Sequence, residues 1–383
     1  MSWEKVKLND VCSSIYDGDH NAPPKSDTGV PFVTISNIDA ADGSIDFSNT
    51  AHVPNSYFES LKPERRPRPG DVLYSVVGSF GIPSLVKDQK PFVFQRHVAI
   101  LRPNDRIEPE YLYYSMKSRN FYHWADSVAI GAAQRTVTLG QLREKTIALP
   151  PLPVQRRIAG VLSAYDKLIE NNRKQIKLLE EAAQRLYKEW FVDLRFPGHE
   201  TTPIVDGLPE EWERGKLGSV VEFRRGKTIT RKETVEGGVP VVAGGLEPAY
   251  YHNAANTGSP VITVSGSGAN AGFCRLYVTK VWASDCSFAD ANMTEDLIFV
   301  YLTIKVLSNG FKQCQRGSAQ PHVYPKHVND LQVLIPNVET LECFRQLVAP
   351  FFIQIGILEQ QIVAAREARD RLLPKLMSGE IEV

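Results

Sequence analysis

A chain of 383 residues holds about two domains of ordinary size, and a composition of 43% hydrophobic and 23% charged residues is that of a globular protein. Lys plus Arg and Asp plus Glu each total 44, so the formal net charge is zero. This excludes a protein that grips a polyanion by bulk charge; any such contact needs basic residues gathered on one face, or a partner. Five cysteines (Cys12, Cys274, Cys286, Cys314, Cys343) with no CxxC pair fit neither a disulfide framework nor a zinc ribbon. The start MSWEKVKLND lacks an apolar leader core, and no run approaches the length of a membrane span, so a soluble cytoplasmic protein without membrane contact is expected.

In chain order, short apolar runs broken by Gly, Pro, Asn and Asp predict strands over 30–35, 71–77 and 92–101. A helix is predicted over 109–124. The proline stop Leu149-Pro150-Pro151-Leu152-Pro153 then opens a long helix from about 155 to 191. Its seam positions are Leu162, Tyr165, Ile169, Asn172, Ile176, Leu179, Ala183, Leu186 and Trp190, spaced alternately three and four as in a coiled coil. Asn172 in such a seam reads equally as a register-fixing polar residue or as the solvated end of the contact. Residues 195–211, rich in Pro, Gly and Thr, read as a linker. Strands follow over 239–243 and 260–264, then a helix over 296–308. After Ile335-Pro336 a second seam runs through Val348, Phe351, Ile355, Leu358, Ile362, Ala365, Arg369, Leu372 and Leu376. Pro350 and Pro374 predict that this second helix is kinked or shorter. Neither head can cover so long a stripe, so each helix is expected to bury it against the other.

The chain is written twice. Trp3-Glu4-Lys5 recurs at Trp212-Glu213-Arg214, an offset of 209 residues that also relates Val30-Pro31 to Val239-Pro240. From Gly131-Ala132-Ala133-Gln134 and Gly317-Ser318-Ala319-Gln320 onward the offset is 186, and it holds to Arg185-Leu186 and Arg371-Leu372. The fold class expected is α+β: two mixed α/β domains separated by two long antiparallel coiled-coil helices, as a pseudo-two-fold internal repeat. The parts are 1–150 and 212–336 as heads, 151–194 and 337–383 as helices and tail, and 195–211 as linker.

Motifs for chemistry are missing. Gly266-Ser267-Gly268-Ala269-Asn270-Ala271 satisfies GxGxxA, but the β-prone 273–278 follows where a helix is needed, so a turn between strands is expected. Arg225-Gly226-Lys227-Thr228 lacks the first P-loop glycine because position 221 is Val. Asp17, Asp19 and His20 read as a turn rather than a metal cluster.

The order and duplication of these features resemble HsdS, the specificity-subunit family of type I restriction-modification systems. The resemblance is carried by Leu149-Pro150-Pro151-Leu152-Pro153-Val154-Gln155-Arg156-Arg157-Ile158, by Trp190-Phe191-Val192-Asp193, by Leu373-Pro374-Lys375-Leu376-Met377-Ser378-Gly379-Glu380-Ile381 and by the loops 131–136 and 317–322. The second helix begins Ile335-Pro336-Asn337-Val338-Glu339, without the fuller PPLxxQ form. The resemblance implies a non-catalytic subunit with two target-recognition domains on double-stranded DNA, each reading half of a split target across a helical spacer. It implies two modification subunits that carry S-adenosylmethionine and flip an adenine in each half-site, and restriction subunits for cleavage. No cofactor or metal is expected in this chain. The rival expectations are a coiled-coil interaction protein and a single-chain DNA methyltransferase without recognisable motifs.

Base readout needs polar side chains on loops. The candidates in the first head are Gln95, Arg96 and His97, a polar triplet inside a strand pattern, with Gln134, Arg135 and Thr136 in the duplicated loop. In the second head they are Ser318, Gln320 and His322 in the matching loop, Ser267 and Asn270 on the glycine turn, and Arg224, Arg225 and Lys227 as a phosphate-gripping cluster. A sheet-edge turn, a structural loop and a solvated charged face are the competing readings.

Overall fold

The protein is described by a computed structural model covering residues 3–19, 22–40, 42–132, 134–307 and 322–383. It forms two compact units, 1–169 with 363–383, and 170–362. The first unit is therefore closed by the end of the chain.

In the first unit β1 (Glu4–Lys7) pairs antiparallel with β9 (Thr146–Leu149). A four-stranded antiparallel sheet runs β2 (Cys12–Asp17), β8 (Val98–Pro103), β5 (Val72–Ser75), β6 (Pro83–Leu85). A three-stranded mixed sheet runs β4 (Ala51–Val53), β3 (Val30–Val33), β7 (Val93–Phe94). Strand alternation explains why residues 72–74 and 98–101 are apolar on both faces. Val72, Tyr74, Ala99 and Leu101 face the main core with Tyr111 and Leu112, while Leu73, Val98 and Ile100 face Val33 and Phe94 of the other sheet. The expected strand over 92–101 is two strands, β7 and β8, because Gln95–His97 forms a tight turn closed by Val98 N–H donating to Gln95 O at 3.0 Å. The expected helix over 109–124 is also two, Pro109–Lys117 and Arg119–Val128, broken where the Ser118 hydroxyl caps the second by accepting from Phe121 N–H.

The second unit repeats this plan. β12 (Glu213–Lys216) pairs with β20 (Gln332–Ile335). A four-stranded sheet runs β13 (Arg224–Arg225), β19 (Cys286–Asp290), β16 (Val261–Ser265), β17 (Cys274–Tyr277), and a three-stranded one runs β15 (Tyr250–His252), β14 (Val239–Val242), β18 (Trp282–Ala283). The registers match residue for residue. Glu4 pairs with Leu149 as Glu213 pairs with Ile335, preserving the offsets of 209 and 186, and Ser75 pairs with Val98 as Ser265 pairs with Cys286. The stretch before β12 holds its own hairpin, β10 (Ile204–Val205) and β11 (Leu208–Pro209), turned by Asp206 and Gly207, both at positive φ.

The first long helix is Leu152–Phe191, 40 residues, about 60 Å at ~1.5 Å per residue. The second is Val338–Ser378, 41 residues. Of the two outcomes expected from its prolines, a kink or a shorter helix, shortening does not occur. Pro350 and Pro374 both lie on the exposed face, where a lost N–H bond is tolerable, while Val348, Phe352, Leu373 and Leu376 beside them are buried. In the first unit the pairing is antiparallel: Arg369 meets Asp166, and Ile158 and Leu162 share a core with Leu373 and Leu376. In the second unit it is antiparallel as well, with the Trp190 and Phe344 rings tilted against each other at 5.5 Å and Asn172 Nδ2 donating to Gln361 Oε1 at 3.0 Å. Asn172 is 2% exposed, so of its two readings the solvated end does not hold. Leu162, Ile169, Ile355, Leu358 and Ile362 are buried; Tyr165, Ile176, Leu179, Leu186, Phe351 and Leu372 are half-buried, with Phe352 and Leu373 deeper than their neighbours.

By length and hydropathy alone the second long helix is apolar enough to cross a membrane, although Gln354, Glu359 and Gln360 interrupt its apolar run. Phe344, Val348, Phe352 and Ile355 from this helix belong to the core of the second unit.

Gln155 shows what the motif before the first long helix does. The side chain is 1% exposed; Oε1 accepts from Glu108 N–H at 2.9 Å, and Nε2 donates to Arg106 O and Pro150 O at 3.1 and 2.8 Å. It ties the start of the helix to the head. The equivalent position in the second repeat is buried Leu341, and there Asn337 Oδ1 accepts from Thr340 N–H instead. Gln155→Ala leaves buried backbone groups unsatisfied and is expected to lower the unfolding free energy by about 1–3 kcal/mol in denaturant titration; an unchanged midpoint contradicts this role.

Candidate nucleic-acid interface

In the first unit three loops meet at one end of the four-stranded sheet. They are the continuation of β5 through Val76–Gly81, the Gln95–His97 turn and the 130–137 hairpin loop. Val76 N–H donates to His97 O at 2.8 Å, Val137 N–H to Val76 O at 2.9 Å and Gly78 N–H to Arg135 O at 3.1 Å. Gly18 lies beneath the turn, where a Cβ would stand 2.3 Å from Phe94 O.

The structure brings the six first-head candidates onto this platform. Gln95 is half-buried, bridges to Asp19 and donates its N–H to Val33 O; Arg96 is exposed, and His97 is half-exposed. Gln134 and Arg135 are exposed, and Thr136 pairs reciprocally with Ile130. Arg135 is not a free cation. It bonds Asp126 and lies 5.3 Å over the Phe80 ring, which stacks on Tyr122 at 6.1 Å. Asp17 and Asp19 face Arg65 at 3.9 and 4.0 Å, and Tyr57 O–H donates to Asp19 Oδ2. His20 lies outside the described residues.

The second unit builds the same platform from different side chains. Gly266 N–H donates to Asp285 O at 3.3 Å and Val323 N–H to Gly266 O at 3.0 Å, the counterparts of Val76 to His97 and Val137 to Val76. Gly226 takes the place of Gly18, and a Cβ there would stand 2.4 Å from Ser284 O. Ser267 bridges to exposed His322, whose ring stacks on Tyr324. Asn270 is half-exposed in the turn, its carbonyl accepting from Phe273 N–H. Lys227 is exposed and held by its backbone to Ala283 O. Arg224 and Arg225 are both exposed, but consecutive strand residues point to opposite faces, so they do not form one patch; Arg225 is the one 4.0 Å from Asp285. Ser318 and Gln320 lie outside the described residues.

Asp285 is the platform residue that the sequence did not reveal. The offset between repeats drifts from 209 to 208 at Gly18 and Gly226 and to 188 at β8 and β19, and the turn before β19 is shorter. The available signal was Asp17-Gly18-Asp19 against Arg225-Gly226-Lys227, the same glycine flanked by opposite charges.

Burial pushes the thiols of Cys12, Cys274 and Cys286 up to about 12, away from the reactive thiolate. Among the described residues no group of three or more His, Cys, Asp or Glu is placed to hold a metal ion.

The type I restriction modification DNA specificity domain matches this chain twice, at residues 1–181 and 209–363. The chain belongs to that family. It is a specificity subunit, the non-catalytic component that recognises DNA sequence within a type I restriction-modification complex, alongside modification and restriction subunits. The MjaIX specificity subunit of Methanocaldococcus jannaschii is 26% identical over 339 residues, 82% of this chain and 78% of that one. The HindI specificity subunit of Haemophilus influenzae is 24% identical over 218 residues, 55% and 45% of the two chains. The crystal structure of the type I S subunit from M. genitalium superposes with a TM-score of 0.62 at 16% identity, covering 98% of this chain and 96% of that one, a likeness of fold.

The duplicated glycines yield a test specific to this specificity subunit. Gly18→Ala and Gly226→Ala each force the turn above to shift, and each is expected to cost about 1–3 kcal/mol of stability by overpacking. Thermal and denaturant unfolding of the two variants measures this; a neutral result at both shows that the turns move freely.

Proposed function

We propose that this specificity subunit reads a bipartite DNA target, with residues 1–150 and 212–336 as two target-recognition domains, one for each half-site. The helices in 151–194 and 337–383 then set the unread gap, with 195–211 as the connecting linker. The observation that carries this reading is the set of matching backbone bonds that builds a platform in each unit with different side chains, as two unequal half-sites require. Gln95, Arg96, His97, Gln134, Arg135 and Thr136 serve the first half-site. Ser267, Asn270, Ser318, Gln320 and His322 serve the second, with Arg225 and Lys227 on the phosphates.

Two modification subunits bring S-adenosylmethionine and flip one adenine in each half-site, and restriction subunits join for cleavage in the cytoplasm. Exposed Leu178 on the first long helix and Ile353 on the second, 64% and 65% accessible, favour protein partners on these helices. The zero net charge favours partners that share the phosphate contact.

Exchanging residues 1–150 for the head of a related subunit tests the proposal, with methylated motifs read by sequencing. One half of the motif is expected to change and the other to persist; a change in both halves, or in neither, contradicts modular reading.

A further inference from the structure

The two platforms carry inverted charge. Strand register makes Arg225 the counterpart of Asp17, since Asp17 pairs with Ala99 of β8 and Arg225 with Ser287 of β19. Across the shared glycine, Lys227 then matches Asp19. On the facing turn the order reverses. The first unit has Arg96 and His97, and the second has Asp285, whose carbonyl takes the bond that His97 takes in the first.

Asp285 is held ready. Ser267 Oγ donates to Oδ2 at 2.5 Å, the Arg225 guanidinium lies 4.0 Å from Oδ1, and the side chain is 40% exposed. The backbone around it is fixed by Gly266 N–H to Asp285 O and by Gly226 against Ser284 O. Three loops therefore converge on one half-exposed carboxylate. An ionised carboxylate only accepts hydrogen bonds, and DNA phosphates repel it. The groups on a duplex that suit it are the exocyclic amines displayed in the major groove, N4 of cytosine and N6 of adenine. Arg225 offsets the charge so that the carboxylate can approach the duplex.

We propose that Asp285 is a specificity-determining residue that accepts a hydrogen bond from an exocyclic base amine in the major groove of the second half-site. This rests on the two-head reading above. The first platform, with Arg96 and His97 at the equivalent turn, offers donors there and selects acceptor edges, so the two half-sites differ at this position.

The test uses the full chain expressed with its modification subunits and sequencing of methylated adenines, for the wild type, Asp285→Ala and Asp285→Asn. In the alanine variant one cytosine or adenine position of the second half-site is expected to relax, its discrimination falling roughly ten- to hundredfold, with the first half-site unchanged. Asparagine keeps the shape and one acceptor but adds a donor, so the same position is expected to shift preference; it carries the test if the alanine variant fails to accumulate. Uniformly weaker methylation of an unchanged motif overturns the proposal and leaves Asp285 a purely structural partner of Ser267. Relaxation in the first half-site overturns it as well. A wild type that yields no bipartite motif removes the two-head reading, and this proposal falls with it.

Discussion

Each long helix carries an apolar stripe that runs beyond what one head can cover, and the way this stripe is buried organises the molecule. In each compact unit, a stretch of the first helix is closed antiparallel by a stretch of the second. The first unit is thereby completed by residues from the far end of the chain, where Leu373 and Leu376 join a core with Ile158 and Leu162. The written repeat and the folded unit are consequently different divisions of the sequence. Two polar interactions interrupt the stripe. Asn172 meets Gln361, and Arg369, 4% exposed, is neutralised by Asp166 and Asp370, with Tyr114 O–H donating to Asp166 at 2.6 Å. Neither matches its repeat counterpart, Leu358 for Asn172 and Ala183 for Arg369, so these polar groups mark one register and distinguish the two ends of the pair.

Much of this was legible in the sequence because hydrophobic periodicity and strand register survive divergence. The offsets of 209 and 186 reappear as the pairings Glu4 with Leu149 and Glu213 with Ile335. Losses came where local rules compete with tertiary ones. The apolar run over 92–101 hid a turn, because its polar triplet sits between two buried strands. Ser118 looked like an interior helical residue but caps a new helix. Pro350 and Pro374 argued for a kinked or shorter helix; the helix is not shorter, because each proline occupies the solvent side, where the packing of the opposite face outweighs one missing bond.

The candidate interface was legible in outline. The glycine-flanked loops and the Gln95–His97 turn announced themselves as polar groups within apolar strands, but their partners did not. Arg135 is engaged by Asp126 and Phe80 from a neighbouring helix and loop, a tertiary fact with no local trace. Asp285 was invisible for a different reason: the two repeats differ in length just before it, so no constant offset aligns it with Arg96 and His97. The zero net charge has a matching local form, since the basic groups of one platform stand where the acidic groups of the other stand. Under the proposed reading, such a surface depends on specific base edges more than on bulk attraction.

The central claim is that the paired helices separate two independent readers, and one measurement tests it most directly. Deleting one heptad from each helix in matched register, 173–179 with 355–361, preserves the seam and places Gln354 where Gln361 met Asn172. The spacer shortens by about 10 Å, on the order of three base pairs. Sequencing of methylated adenines with the modification subunits present is predicted to return both original half-sites across a shorter gap. Altered half-sites across an unchanged gap would contradict the account.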